Sequence, residues 1–155
     1  MTSPELRVER AGPEDAALIL ALQKIAYQSE ARLYDDWNLP PLTQTLESLQ
    51  AEFGHSIILK ALDRGQLAGS VRARESHGTC HIGRLVVSPT AQGRGIGTRL
   101  MQEIEASFPS ARRFELFTGS RSERNLRLYR RLGYAPCREQ PAANGVTLVY
   151  LEKSR

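Results

Sequence analysis

The run Gln92-Gly93-Arg94-Gly95-Ile96-Gly97 constrains this chain most. It stands between an apolar stretch, Leu85-Val86-Val87, and a segment with Leu100, Ile104 and Phe108 at helical spacing. A strand that turns through glycines into a helix leaves the first helical N–H groups without partners, under a favourable dipole for negative charge. Glycine admits φ > 0 and lets an oxyanion approach the backbone. The turn alone fits either an anion cradle or a tight connection without a ligand. Its spacing excludes two common nucleotide motifs. The position three after Gly95 is Thr98, where a dinucleotide fingerprint needs glycine, and no Lys follows as a P-loop requires.

The neighbouring segments supply a frame. "ELRVER" alternates Leu6 and Val8 with charge and reads as a strand. From Pro13, with Glu14 and Asp15 in the first turn, a helix is expected with Leu18, Leu22, Ile25 and Ala26 on its apolar face. Pro40 and Pro41 end it, and Thr43 or Thr45 caps a second helix carrying Leu46, Leu49 and Phe53. "HSIILKAL", "QLAGSVRARE" and "TCHIGRLVVS" are strands separated by Asp63-Arg64-Gly65 and Ser76-His77-Gly78, hence antiparallel hairpins. After the glycine segment and its helix come the strand "RFELFTG" and a helix capped by Ser122 and stopped by Gly133. Two final strands, "YAPCREQ" and "GVTLVYLEK", close the chain. The order is a mixed sheet with helices on its faces.

The chain has 155 residues, which suits one domain spanning 1–155. No apolar run approaches the roughly 20 residues of a membrane span. The opening "MTSPELRVERAG" is too polar for a secretory leader. Cys80 and Cys137 are too few and too far apart for a metal set, and they fit either a disulfide or two thiols in a reducing cytoplasm. A net charge of +4 fits an anionic partner, but the basic residues alternate with acidic ones and form no nucleic-acid motif.

Gln92-x-x-Gly95-x-Gly97 has the form [RQ]-x-x-G-x-[GA]. Leu85-x-Val87-x-Pro89 precedes it, and Asn125, Tyr129 and Gly133-Tyr134 follow in "NLRLYRRLGY". On these residues the chain resembles the GCN5-related N-acetyltransferases, the GNAT family, over almost its whole length. The resemblance implies an α/β (mixed α+β) fold, with a mostly antiparallel twisted sheet of about six to seven strands flanked by about four helices. It implies transfer of an acetyl group from acetyl-CoA to the amine of a small molecule or peptide. No metal, nucleic acid or membrane is expected, and the expected setting is a cytoplasmic monomer or homodimer. The alternative is a module that binds acetyl-CoA as a sensor without turnover.

The resemblance also assigns residues. Gln92, Gly93, Arg94, Gly95, Ile96, Gly97 and Thr98 hold the cofactor's pyrophosphate, with Arg99 and Arg124 as further phosphate candidates. Leu85, Val86 and Val87 form a bulged segment whose backbone pairs with the pantetheine arm, which Asn125 also contacts. Tyr129, four residues on from Asn125 and so on the same helical face, protonates the departing thiolate. His81 stands eleven residues before Gln92, where one branch of the family has a glutamate base, and histidine can accept a proton near neutral pH. The acceptor is expected near Tyr27, Glu30, Tyr34 and Trp37, with Asp35 and Asp36 suiting a cationic amine.

Overall fold

The structure, a computed structural model, describes residues 5–155, so the first four positions of the expected 1–155 domain lie outside the described residues. Seven strands form one sheet: β1 (Leu6–Arg10), β2 (Ile57–Asp63), β3 (Gln66–Ser76), β4 (Thr79–Val87), β5 (Arg113–Gly119), β6 (Ala135–Pro141) and β7 (Thr147–Ser154). Their order is β1-β2-β3-β4-β5-β7-β6. Every neighbouring pair is antiparallel except β4 and β5. The hairpin turns are set locally. Arg64 and Gly65 both have positive φ, as do His77 and Gly78, the backbone of a two-residue turn whose twist matches the strands.

The helices are α1 (Ala16–Ala26), α2 (Gln28–Tyr34), α3 (Pro40–Thr43), α4 (Leu46–Glu52), α5 (Ile96–Ala106) and α6 (Glu123–Arg131). The single first helix expected from the sequence is two, broken at Tyr27. Asp35, in the left-handed region, ends α2. Pro40 and Pro41 open α3 rather than sitting in a loop, because the first helical positions need no N–H donor. Thr45, not Thr43, caps α4 by accepting from the Ser48 amide at 3.1 Å.

Successive side chains on a strand point to opposite faces. Ile58 packs with Ala16, Ile19, Leu20 and Leu49, whereas Leu59 packs with Ile96, Leu100, Met101 and Ile104. Hence α1 and α4 cover one face of β2–β4 and α5 covers the other. Helix α6 joins the α5 side through Leu126, Leu128 and Tyr129. The buried stripe of α1 is Ala16, Ile19, Leu20 and Gln23, with Leu22 beside it. Leu18 and Ile25, expected inside, are 67% and 51% exposed. The cause is a polar patch in the interface. Buried Arg72 on β3 donates to Gln23 Oε1 at 3.0 Å and pairs with Glu52 at 2.7 Å, so a glutamine has to face inward there. Burial lowers the Arg72 pKa to about 10 although Glu52 pulls the other way, and the nearby Arg84 charge adds to the lowering.

The two cysteines are both free thiols, Cys80 buried and Cys137 exposed, which removes the disulfide alternative. Among the described residues, no helix is long and apolar enough to cross a membrane.

Candidate active site in the fork of the sheet

Strands β4 and β5 pair only over Thr79–His81 and Arg113–Glu115. Beyond that, β4 continues with β3 as far as Val87, and β5 continues with β7 as far as Gly119. The two strands therefore part after His81 and Glu115. A fork opens at their C-terminal ends, with the edge of β4 facing it. Such crevices at parallel strand ends, next to helix N-termini, are where open sheets bind ligands.

Helix α5 starts at the mouth of this fork. Gly93 and Gly95 both have φ of 79°, and a Cβ built on either would meet nothing within 4 Å. The left-handed turn is thus open space bounded by backbone, and it leads into the unpaired N–H groups of the first turn of α5. These features fit an anionic diphosphate. The arginines expected to meet phosphates are held by neighbours: Arg94 pairs with Asp63 at 2.6 Å and Arg99 with Glu103 at 3.2 Å, and Arg124 donates to the Gln92 carboxamide.

A bulge lies in β4. Ser70 faces Val86 while Arg72 faces Gly83, so β4 carries one extra residue there, and Arg84 has φ of 53°. The insertion reverses the inside-outside alternation. Cys80 and Ile82 before it, and Leu85 and Val87 after it, all pack toward α5. The bulged segment expected at Leu85–Val87 begins at Arg84.

Across the fork, α2 meets the start of α6. Asn125 Nδ2 donates to Glu30 Oε1 at 3.0 Å and to Thr118 Oγ1 at 3.2 Å. Ser122 Oγ donates to Glu30 Oε2 at 2.8 Å. A serine has one proton, so at 2.7 Å the Tyr34 hydroxyl is the donor to Ser122 Oγ, and the Tyr34 oxygen accepts from the Arg121 amide at 2.9 Å. Ser122 therefore does not cap α6 with its side chain, as the sequence had led us to expect; its hydroxyl is spent on Glu30. Gly119 makes room here, because a Cβ would run into the Tyr34 hydroxyl and ring unless that side chain shifted.

Tyr129 is buried beneath this strut, edge-on to Tyr134 at 6.2 Å. Burial, reinforced by Tyr27 and Glu30, pushes its phenol well above the ordinary tyrosine range, so it keeps its proton. The Tyr27 phenol is also pushed up by burial, against the opposing Arg84 guanidinium. His81 sits at the apex of the fork, with Nδ1 3.7 Å from Glu115 Oε1. Glu115 is already paired with Arg113 at 2.5 Å.

Thus Tyr27, Glu30, Tyr34, Asn125 and Tyr129 come together. Trp37 stands half-exposed beneath the Arg32 guanidinium, 5.9 Å from its ring centroid. Asp36, expected to face a cationic acceptor, is buried and accepts from the Asn38 amide at 2.9 Å. Sequence reasoning missed Ser122 and Thr118 as members of the cluster, and Arg84 altogether. No local signal marks the first two; a charged residue at a bulge could have drawn attention to the third.

Residues 20–134 match the Acetyltransferase (GNAT) family. The chain is 28% identical over 130 residues to the UPF0157 protein YqkA of Bacillus subtilis, a match covering 84% of this chain and 37% of that protein. It thus spans little more than a third of that relative's length. Its fold is similar to that of the PaiA N-acetyltransferase of Thermoplasma acidophilum in complex with coenzyme A. The TM-score is 0.79 at 14% identity, over 97% of this chain and 99% of the other. It is also similar to yncA, a putative acetyltransferase of Salmonella typhimurium with its cofactor acetyl-CoA. There the TM-score is 0.75 at 18% identity, over 96% and 93%.

Proposed function

The chain belongs to the GNAT acetyltransferase family, and from that premise we propose that it moves an acetyl group from acetyl-CoA to a primary amine by direct attack. The observation that carries the reading is the coincidence, at one fork, of an open left-handed glycine turn, an unpaired β4 edge and a buried tyrosine. When bound, acetyl-CoA supplies an activated thioester.

The chain's own residues then have distinct tasks. The backbone from Gln92 to Thr98 binds diphosphate with N–H groups and the α5 dipole. The free edge of β4 at Leu85, Val86 and Val87 pairs with an extended arm as an added strand would. Asn125, its amide oriented by Glu30 and Thr118, lines the other wall. Tyr129 holds a proton at its phenol oxygen and donates it toward the departing sulfur; its raised pKa keeps that donor charged with hydrogen across the physiological range. His81, with Nδ1 3.7 Å from Glu115 Oε1, takes the proton of the attacking amine, directly or through a water. Tyr27, Glu30 and Tyr34 border the acceptor, and Trp37 closes its outer side.

Thermal melting with acetyl-CoA, ATP and NAD at equal concentration tests the cofactor assignment. Acetyl-CoA raises the melting temperature most, since a ligand of the folded state stabilises it. Gly95→Glu abolishes that rise by placing a carboxylate in the diphosphate cradle. Equal shifts from all three ligands would sink the reading. Coenzyme A release with a panel of amines then separates an enzyme from a sensor module.

A further inference from the structure

The reaction above leaves the charge of Arg84, at the bulge of β4, unused. It occupies the bulge in a left-handed conformation that glycine would adopt with less strain, yet the position holds arginine. Its Nε is buried with no hydrogen-bond partner. The ion pairs of the described residues include none to Arg84. Its neighbour Arg72 differs, because Glu52 neutralises that guanidinium at 2.7 Å. The contacts of Arg84 are with the neutral Tyr27 phenol and the field of Arg72, which puts it on the α1–α2 side of the sheet. A buried guanidinium nitrogen left without an acceptor is costly, and an anion that accepts from it removes that cost.

The cofactor does not supply that anion under the proposed reading. Its diphosphate belongs at Gly93–Thr98, beyond the end of β4, whereas Arg84 lies inside the strand. A carboxylate on the acceptor is the counter-charge that fits a position within the strand. A second charge acts on Tyr27, whose phenol feels both Arg84 and Glu30. Glu30 accepts one hydrogen bond on each oxygen, which leaves lone pairs for a further donor. A guanidinium and a carboxylate that both act on one phenol match the two ends of a zwitterion.

We propose that the acceptor is a small α-amino acid, its carboxylate held by Arg84 and its amine directed toward Glu30. This rests on the acetyl-transfer reading, and the test separates the two. Coenzyme A release is measured with free L-amino acids and with the corresponding α-amides, which keep the amine and side chain but lack the carboxylate. At least one acid is expected to exceed its amide in kcat/KM by about tenfold or more, the scale of a hydrogen bond to a charged group. Arg84→Gln collapses that preference to near unity, mainly through KM, and Arg84→Lys restores part of it. Retention of the acetyl-CoA melting shift in both variants verifies that they fold. Amides used as well as acids would overturn the proposal, as would a preference untouched by Arg84→Gln. If no amine is acetylated, melting with the amino acids alone decides. A rise in the parent protein but not in Arg84→Gln upholds the carboxylate site and sinks acetyl transfer; no rise in either sinks the proposal.

Discussion

Glu30 and Asn125, 95 positions apart in the chain, are joined by a hydrogen bond of 3.0 Å. The bond ties α2, which borders the proposed acceptor site, to α6, which carries Tyr129. Glu30→Ala removes the acceptor for two donors at once, Asn125 and Ser122. The expected loss of stability is about 1–3 kcal/mol, from donors left without partners. Chemical denaturation measures it, and Glu30→Gln is expected to recover part of the loss. An unchanged midpoint in Glu30→Ala would show that the strut is not closed in solution.

Tyr129→Phe is expected to lower turnover by about 10²–10⁴-fold, the usual scale for a general acid, with little change in cofactor affinity. Steady-state kinetics with any competent amine, together with the acetyl-CoA melting shift, read the two effects separately. Full turnover in the variant would return Tyr129 to a packing role against Tyr134.

His81→Ala is expected to remove the acidic limb of the kcat/KM profile, since a protonated imidazole accepts nothing. What remains is a slow reaction that rises only as the amine itself loses its proton. An unaltered profile would move the base elsewhere in the fork.

Asp15 offers a stability test remote from the fork. Burial alone would raise its carboxyl, but the Gly12 amide at 2.9 Å and the Lys60 ammonium at 3.0 Å together hold it below the ordinary value. The folded pKa lies under the unfolded one, so the charged form favours the fold. That contribution is complete above the unfolded value of about 3.9 and fades as pH falls through the lower folded value. Asp15→Asn is therefore expected to cost about 1 kcal/mol near neutrality. The gap between variant and parent should close in strong acid; urea titrations across pH would detect a gap that stays constant.

What was legible in the sequence was whatever backbone geometry demands locally. Gly93 and Gly95 announce a left-handed turn, and Arg64-Gly65 and His77-Gly78 announce hairpins, because φ > 0 selects the residue type. The apolar face of α1 was misread by one position. Periodicity weighs Leu18 and Ile25 above Gln23, and nothing local reveals that an arginine on β3 waits for a glutamine. A bulge was expected at Leu85–Val87 from the resemblance alone; its start at Arg84, next to Gly83, is set by the pairing with β3, which no local pattern expresses. The Glu30–Ser122–Asn125 cluster is a contact between distant segments, which no spacing rule can express.

The three-rung seam between β4 and β5 has a mechanical consequence. Each half-sheet is laced internally along nearly its full length, while the junction is short, so opening motions should concentrate there. Amide hydrogens of β1–β3 and of β5–β7 would exchange with deuterium as two territories, each with its own protection. A ligand lying along the free edge of β4 and touching α6 would suture them, and the two exchange rates would converge.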